Sequence, residues 1–160
     1  MEKEVKIKYQ YFNSAEELHN DDRQLFEKAL AAREKAYAPY SEFQVGCVIE
    51  LDNGEIITAN NQENAAYPSG LCAERAAIFW TAANYPEQKI VKLFVAGGPK
   101  NYHRILPATP PCGACRQSML EYESKQKRPI EICFASLNGE VIKVQSVKDL
   151  LPFTFDGSFL

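Results

Sequence analysis

Three cysteines and one glutamate in this chain are spaced for metal chemistry. Cys72 opens the run Cys72-Ala73-Glu74-Arg75, and Cys112 and Cys115 lie in Pro111-Cys112-Gly113-Ala114-Cys115-Arg116-Gln117. Three thiolates can hold a zinc ion tetrahedrally and leave its fourth position open to water, which distinguishes a catalytic site from a closed structural one. Glu74 lies two residues after the first candidate ligand. A tight turn or helix start there sets its carboxylate beside that water without making it a ligand. The chemistry this implies is hydrolysis, in which the metal makes the water acidic and Glu74 takes its proton. Taken alone, Cys112-Gly113-Ala114-Cys115 suits a structural zinc knuckle equally well, and a lone first-turn glutamate is an ordinary complement to a helix dipole. A closed site needs a fourth ligand, however. Cys47 and Cys133 sit inside apolar strand-like runs, and His19 and His103 stand outside any ligand spacing.

Three thiolates on a doubly charged ion leave a net charge of about −1, which raises the pKa of the bound water unless something compensates. Arg75 and Arg116 lie within the two cysteine runs and could donate hydrogen bonds to the sulfurs. Arg75 is the stronger candidate.

The elements that position these residues follow from pattern and punctuation. Alternation from Glu4 to Phe12 reads as a half-buried strand or extended arm, and Leu25, Phe26, Ala29, Leu30, Arg33 and Tyr37 recur at helical spacing over 21–37, with Pro39 as the stop. Strands over 44–51 and 55–59 flank Asp52-Asn53-Gly54, whose Asn-Gly pair is a strong hairpin signal. A polar loop over 60–70 leads to a helix over 72–84 and a buried strand over 90–96, a βαβ unit. The proline-rich stretch 97–111 reads as a long loop, with His103 in a surface connection. A helix then runs from Cys112 to before Pro129, followed by strands over 130–135 and 141–144 about Asn138-Gly139. Ser146-Val147-Lys148-Asp149 resembles a capping box that opens a short helix stopped by Pro152. The expected fold is α/β, a three-layer α/β/α sandwich with a mixed sheet of five strands. Residues 1–160 are expected to form a single domain, with 1–20 an N-terminal extension.

With 46% hydrophobic residues in 160, the chain can bury a core without disulfides. A formal charge of −3 and no Lys/Arg block leave no electrostatic footprint for nucleic acid. The N-terminus has no apolar run suited to a signal peptide or membrane span, so the expected compartment is the cytoplasm, where five cysteines stay reduced.

The chain resembles the cytidine deaminases of the small tetrameric type, whose zinc is held by three cysteines. The resemblance runs from about Leu25 to Phe155. It rests on Tyr40-Ser41-Glu42-Phe43-Gln44-Val45-Gly46, Asn61-Gln62-Glu63-Asn64-Ala65-Ala66-Tyr67-Pro68, the two zinc runs and Leu150-Leu151-Pro152. It implies one zinc per subunit on Cys72, Cys112 and Cys115, with Glu74 as the general acid and base. By the same resemblance Phe43 stacks on the pyrimidine, Asn61 and Glu63 bind the ribose hydroxyls, Ala73 contributes to the substrate site, and Phe155 of a neighbouring subunit closes over the base. It further implies a homotetramer acting on free nucleosides in pyrimidine salvage. Two rivals are a deaminase of a cytosine-containing antibiotic nucleoside and a non-catalytic zinc-binding module.

Overall fold

Each apolar stripe recognised above finds a sheet to cover. The computed structural model describes residues 1–101 and 106–160; His103 and the middle of the stretch 97–111 lie outside them. The strands are β1 (Gln10–Phe12), β2 (Phe43–Leu51), β3 (Ile56–Asn60), β4 (Ile90–Pro99), β5 (Glu131–Ala135) and β6 (Val141–Val144). They form one sheet in the order β1-β6-β5-β4-β2-β3. It is mixed: β4 and β5 run parallel, and the other neighbours pair antiparallel. Among the described residues the sheet therefore has six strands rather than five. The addition is β1, because the N-terminal segment pairs through Gln10, Tyr11 and Phe12 along the outer edge of β6. Of the alternating run 4–12, only these last three residues become strand.

Helix α1 (Asn20–Arg33) covers one face of the sheet, and α2 (Ala73–Asn84) and α3 (Gly113–Gln126) cover the other. This is the expected three-layer sandwich. Leu25, Phe26 and Ala29 of α1 pack on Val48, Phe94 and Ala96, while Ala77, Ile78, Met119 and Leu120 of α2 and α3 pack on Ile49, Leu93 and Ile132. Helix α1 approaches β2 so closely that a Cβ at Gly46 would lie 1.9 Å from the Ala29 carbonyl oxygen. Only glycine fits there.

Helix α1 stops four residues before the expected Tyr37. The backbone of Tyr37 is taken by the neighbouring loop: its N–H donates to the Asn61 carbonyl at 3.1 Å, and its carbonyl accepts from the Glu63 N–H at 2.8 Å. A sheet-like bridge outcompetes one more helical turn. The Asp52-Asn53-Gly54 hairpin forms as expected, with Gly54 at a φ of 86°. Strand β4 runs three residues beyond its expected end, since Gly97, Gly98 and Pro99 continue the ladder against Val45, Gln44 and Phe43. The β3-α2-β4 unit is split, with β2 inserted between its two strands. The directly adjacent parallel unit is β4-α3-β5.

Two buried carboxylates lock the layers. Asp22 of α1 pairs with Lys92 of β4 and Lys143 of β6, and Glu131 of β5 joins Lys92 at 2.9 Å and Lys143 at 3.5 Å. Burial pushes the Asp22 carboxyl up, but hydrogen bonds from Lys143 and Lys92 outweigh it and hold the group below its ordinary range. Glu123 of α3 accepts from the N–H groups of Ile130 at 2.8 Å and Val147 at 2.9 Å, and from the Ser146 hydroxyl at 2.6 Å. It joins α3 to the start of β5 and to the 3-10 turn Val147–Leu150, whose Ser146–Asp149 capping box is formed.

Candidate metal centre and substrate cavity

Cys72 and Cys112 occupy the same local position on two different helices. Each is the residue just before the first helical turn, with extended backbone angles, of α2 and α3 respectively. A serine or aspartate in that place would cap the helix with its side chain; here neither sulfur makes a cap bond, and both remain free for another ligand. Cys115 sits one turn into α3, and its sulfur comes to 3.4 Å from Cys112 Sγ. Cys72 Sγ lies 3.9 Å from Cys112 Sγ, and all three sulfurs fall within 4.8 Å of one another. Three sulfurs bound tetrahedrally to one zinc at about 2.3 Å would stand about 3.8 Å apart, so the cluster fits such an ion with little rearrangement.

The electrostatics suit anionic ligands. Two helix N-termini converge on the sulfurs, each with free N–H groups and partial positive charge. Arg75 Nη2 reaches Cys72 Sγ at 3.9 Å. Hydrogen bonding from the Cys115 thiol, with Arg75 and Cys112 adding to it, draws the Cys72 thiol down to about 5, whereas Cys115 holds its proton and is raised. Arg116, the weaker candidate for this role, does something else. Its Nε donates to the Pro111 carbonyl at 2.9 Å and its Nη1 to the Leu150 carbonyl at 2.8 Å, fastening the loop before Cys112 to the C-terminal segment.

Glu74 lies in the first turn of α2 and is 4% exposed. Burial raises its carboxyl from the ordinary 4.5 to about 7, and the neighbouring Cys72 thiolate adds to the rise. A carboxylate so placed exchanges protons near neutrality, as a general acid and base requires.

Beside the sulfurs opens a cavity of about 410 Å³ lined by Tyr40, Ser41, Asn61, Gln62, Glu63, Asn64, Tyr67, Gly70, Leu71, Cys72 and Arg75. The structure thus brings Asn61, Glu63, Cys72 and Arg75 to one space. Glu63 accepts from the N–H groups of Tyr40 at 2.9 Å and Ser41 at 3.3 Å and from the Ser41 hydroxyl, which holds its carboxyl below the ordinary range. Asn61 works as a splint on β2, its Oδ1 accepting from the Val45 N–H at 2.8 Å and its Nδ2 donating to the Phe43 carbonyl at 2.9 Å. One amide hydrogen and one lone pair remain for a ligand. Between Ser41 and Phe43, Glu42 adopts a left-handed φ of 53°, a strained setting for a side-chain-bearing residue.

Other expected contacts lie apart from this lining. Phe43 starts β2 and is half-buried, Ala73 is fully buried in the core, and Phe155 is exposed and stacked on Phe159 at 5.4 Å. Its carbonyl accepts from Gln117 Nε2 at 2.9 Å, which lays the tail along α3. The reading of the sequence missed Tyr40 and Tyr67, whose rings meet at 5.9 Å on the cavity wall. Their signal was available, since both are aromatic residues in otherwise polar loop motifs.

Residues 19–128 match the family model described as the cytidine and deoxycytidylate deaminase zinc-binding region. A cytidine deaminase of Halalkalibacterium halodurans is 36% identical over 135 residues, spanning 84% of this chain and 94% of that protein. Among solved structures, a cytidine deaminase from Burkholderia pseudomallei superposes with a TM-score of 0.70 at 39% identity, covering 86% of this chain and 100% of that one. One from Mycobacterium tuberculosis gives a TM-score of 0.65 at 29% identity over 86% of this chain and 98% of that one. Both the cysteine triad and the helix-capped geometry that carries it thus fall within a shared region, and the chain belongs to the cytidine and deoxycytidylate deaminase family.

Proposed function

We propose that this protein is a hydrolase that deaminates cytidine and deoxycytidine to uridine and deoxyuridine with release of ammonia. The observation that carries the reading is the pairing of three clustered thiols with a buried, proton-exchanging Glu74 two residues along from Cys72, which itself lines a nucleoside-sized cavity. Cys72, Cys112 and Cys115 would hold one zinc ion, which supplies the Lewis acidity that makes water a nucleophile near neutral pH. Glu74 accepts a proton from the water that adds at C4 and delivers it to N3. It then passes the second proton of that water to the amino group, the C4–N bond breaks, and ammonia leaves. Arg75, donating to Cys72 Sγ, offsets the excess negative charge of the thiolates.

Asn61 and Glu63 face the cavity, where the spare donor of Asn61 and the Glu63 carboxylate suit ribose hydroxyls. In this reading Phe43 and Ala73 complete the base-binding wall through small local shifts. Phe155 serves a neighbouring subunit of a homotetramer, a role favoured by the exposure of Phe153, Phe155, Phe159 and Leu160 on the tail. We read residues 1–160 as one domain, cytoplasmic, with its cysteines unbridged. No helix among the described residues is long and apolar enough to cross a membrane.

The test is an ultraviolet deamination assay on cytidine, deoxycytidine, cytosine and adenosine, with zinc measured on the same sample. Turnover of the two cytosine nucleosides with one zinc per chain is expected, and Glu74→Ala should keep the metal and lose nearly all activity. Zinc-loaded protein inert toward both nucleosides would overturn the reading.

A further inference from the structure

The N-terminal arm is the part of the chain that the catalytic reading leaves unused. The family match begins at residue 19, and residues 1–9 are exposed throughout. Their own sheet offers them nothing further. In the β1–β6 register Gln10 stands opposite Lys143, so Tyr9 would face Val144 and Lys8 would face Gln145. At Ser146 the chain turns into its capped 3-10 turn, and the edge is exhausted. Nor does β1 have a partner on its outer edge among the described residues. The arm nevertheless carries a strand pattern, with Val5, Ile7 and Tyr9 on one face and Glu2, Glu4, Lys6 and Lys8 on the other. Lys6 Nζ lies 3.4 Å from Glu4 Oε2, which puts those two on one side.

The charges on that side are ordered acid, acid, base, base. We propose that the arms of two copies of this chain pair with each other as an antiparallel β-ribbon about a two-fold axis at Val5. In this register Glu2 opposes Lys8 and Glu4 opposes Lys6, each pair occurring twice by symmetry. Val5 meets Val5, with Ile7 diagonal to it, so the other face has an apolar centre, and Lys3 opposes Ile7 on each side of it. The neighbouring registers match less well. A shift by two residues keeps two of the four opposite-charge pairs and sets Glu4 against Glu4 or Lys6 against Lys6, and a shift by one sets Lys3 against Lys6 or Lys8. Parallel in-register pairing opposes every charge with its own copy. The sequence therefore selects one partner, itself, and one alignment. Exposed strand edges with this character recruit another chain unless blocked. No arm residue lines the cavity or belongs to the cysteine cluster, so arm pairing is tested separately from catalysis.

Single cysteines read the register directly. At the two-fold position the Cα atoms of opposed residues lie about 4.5–5.5 Å apart, within disulfide reach. Two copies of Ile7 would stand four residues apart along the ribbon, roughly 14 Å, and out of reach. Full-length, zinc-loaded Val5→Cys and Ile7→Cys proteins are oxidised with diamide and run on non-reducing gels beside the unsubstituted chain. Val5→Cys should give a band at twice 18.0 kDa, and Ile7→Cys none above the unsubstituted background. Adding Lys6→Glu and Lys8→Glu to Val5→Cys should cut the dimer yield roughly tenfold or more, and further adding Glu2→Lys and Glu4→Lys should restore it by inverting every pair. Absence of a Val5→Cys dimer, equal crosslinking through Ile7→Cys, or a yield indifferent to the charge changes would overturn the proposal.

Discussion

Replacing Glu74 by glutamine should stabilise the metal-free protein at alkaline pH while abolishing the activity of the loaded one. The carboxyl ionises at about 7 in the folded chain against an ordinary 4.5, chiefly because it is buried and secondarily because it faces Cys72. A group whose folded pKa is raised contributes stability that is fully present below 4.5 and lost as pH climbs through 7. At about 1.4 kcal/mol per pH unit, that interval makes an ionised Glu74 cost the fold about 3 kcal/mol. Glutamine keeps the shape and cannot ionise. The assay is urea unfolding with chelator and reductant present, for wild type and Glu74→Gln, at pH 5, 6, 7 and 8. At pH 5 the gap should be about a quarter of its full size, and by pH 8 the variant midpoint should lie roughly 1–2 M higher. The same variant, zinc-loaded, should turn over cytidine on the order of 10²–10⁴-fold more slowly. Curves that stay parallel across this range, or a wild type more stable at pH 8, would refute the reasoning that function is bought with a destabilising carboxylate.

Gly46→Ala brings a Cβ to 1.9 Å from the Ala29 carbonyl oxygen, where real contacts stay beyond 3.0 Å, so α1 must retreat from β2 by about an ångström. Thermal melts should show a loss of about 3 kcal/mol, equivalent to roughly 6–12 °C; an unchanged midpoint would mean the helix yields freely. Arg75→Gln removes a donor to Cys72 Sγ and lets that thiol rise from about 5, so zinc affinity should fall roughly 10–100-fold and binding should fade at a higher pH than in wild type. Competition with a chromophoric chelator across pH 5–8 reads both effects. Glu123→Ala orphans the buried N–H groups of Ile130 and Val147, for a loss of about 2–5 kcal/mol by urea unfolding, and an effect under 1 kcal/mol would show that water replaces the carboxylate.

Local signals in this sequence read well because the physics behind them is local. Asn53-Gly54 demanded a left-handed turn and made the β2–β3 hairpin, and Ser146 with Asp149 closed the expected box. The three cysteines were legible because ligand spacing follows from helix geometry, with Cys112 and Cys115 one turn apart. Misreadings arose where the partner was distant in sequence. Pro39 looked like the end of α1, yet the bridge from Tyr37 to the loop at Gln62 ended it sooner. Period-2 alternation marked the N-terminal arm as strand-like without saying what it pairs with, so the three residues that join β6 went uncounted as a sixth strand. The polar character of Asn61 and Glu63 was plain, but not that most of their bonding serves the backbone of 40–45. Tyr40 and Tyr67 meet only because two loops converge on the cavity.

The clamp made by Arg116 and Gln117 gives the C-terminal tail a second meaning. These two residues follow Cys115 directly and hold the carbonyls of Leu150 and Phe155, while Arg116 also holds Pro111 just ahead of Cys112. The tail and the cysteine loop are thereby one cooperative unit for local unfolding, although some forty residues of chain separate them. Opening one releases the other, so anything that tightens the cysteine loop lowers the population of tail-open molecules. Protease cleavage beyond Leu150 becomes a remote gauge of the metal centre's integrity, readable on a gel without substrate.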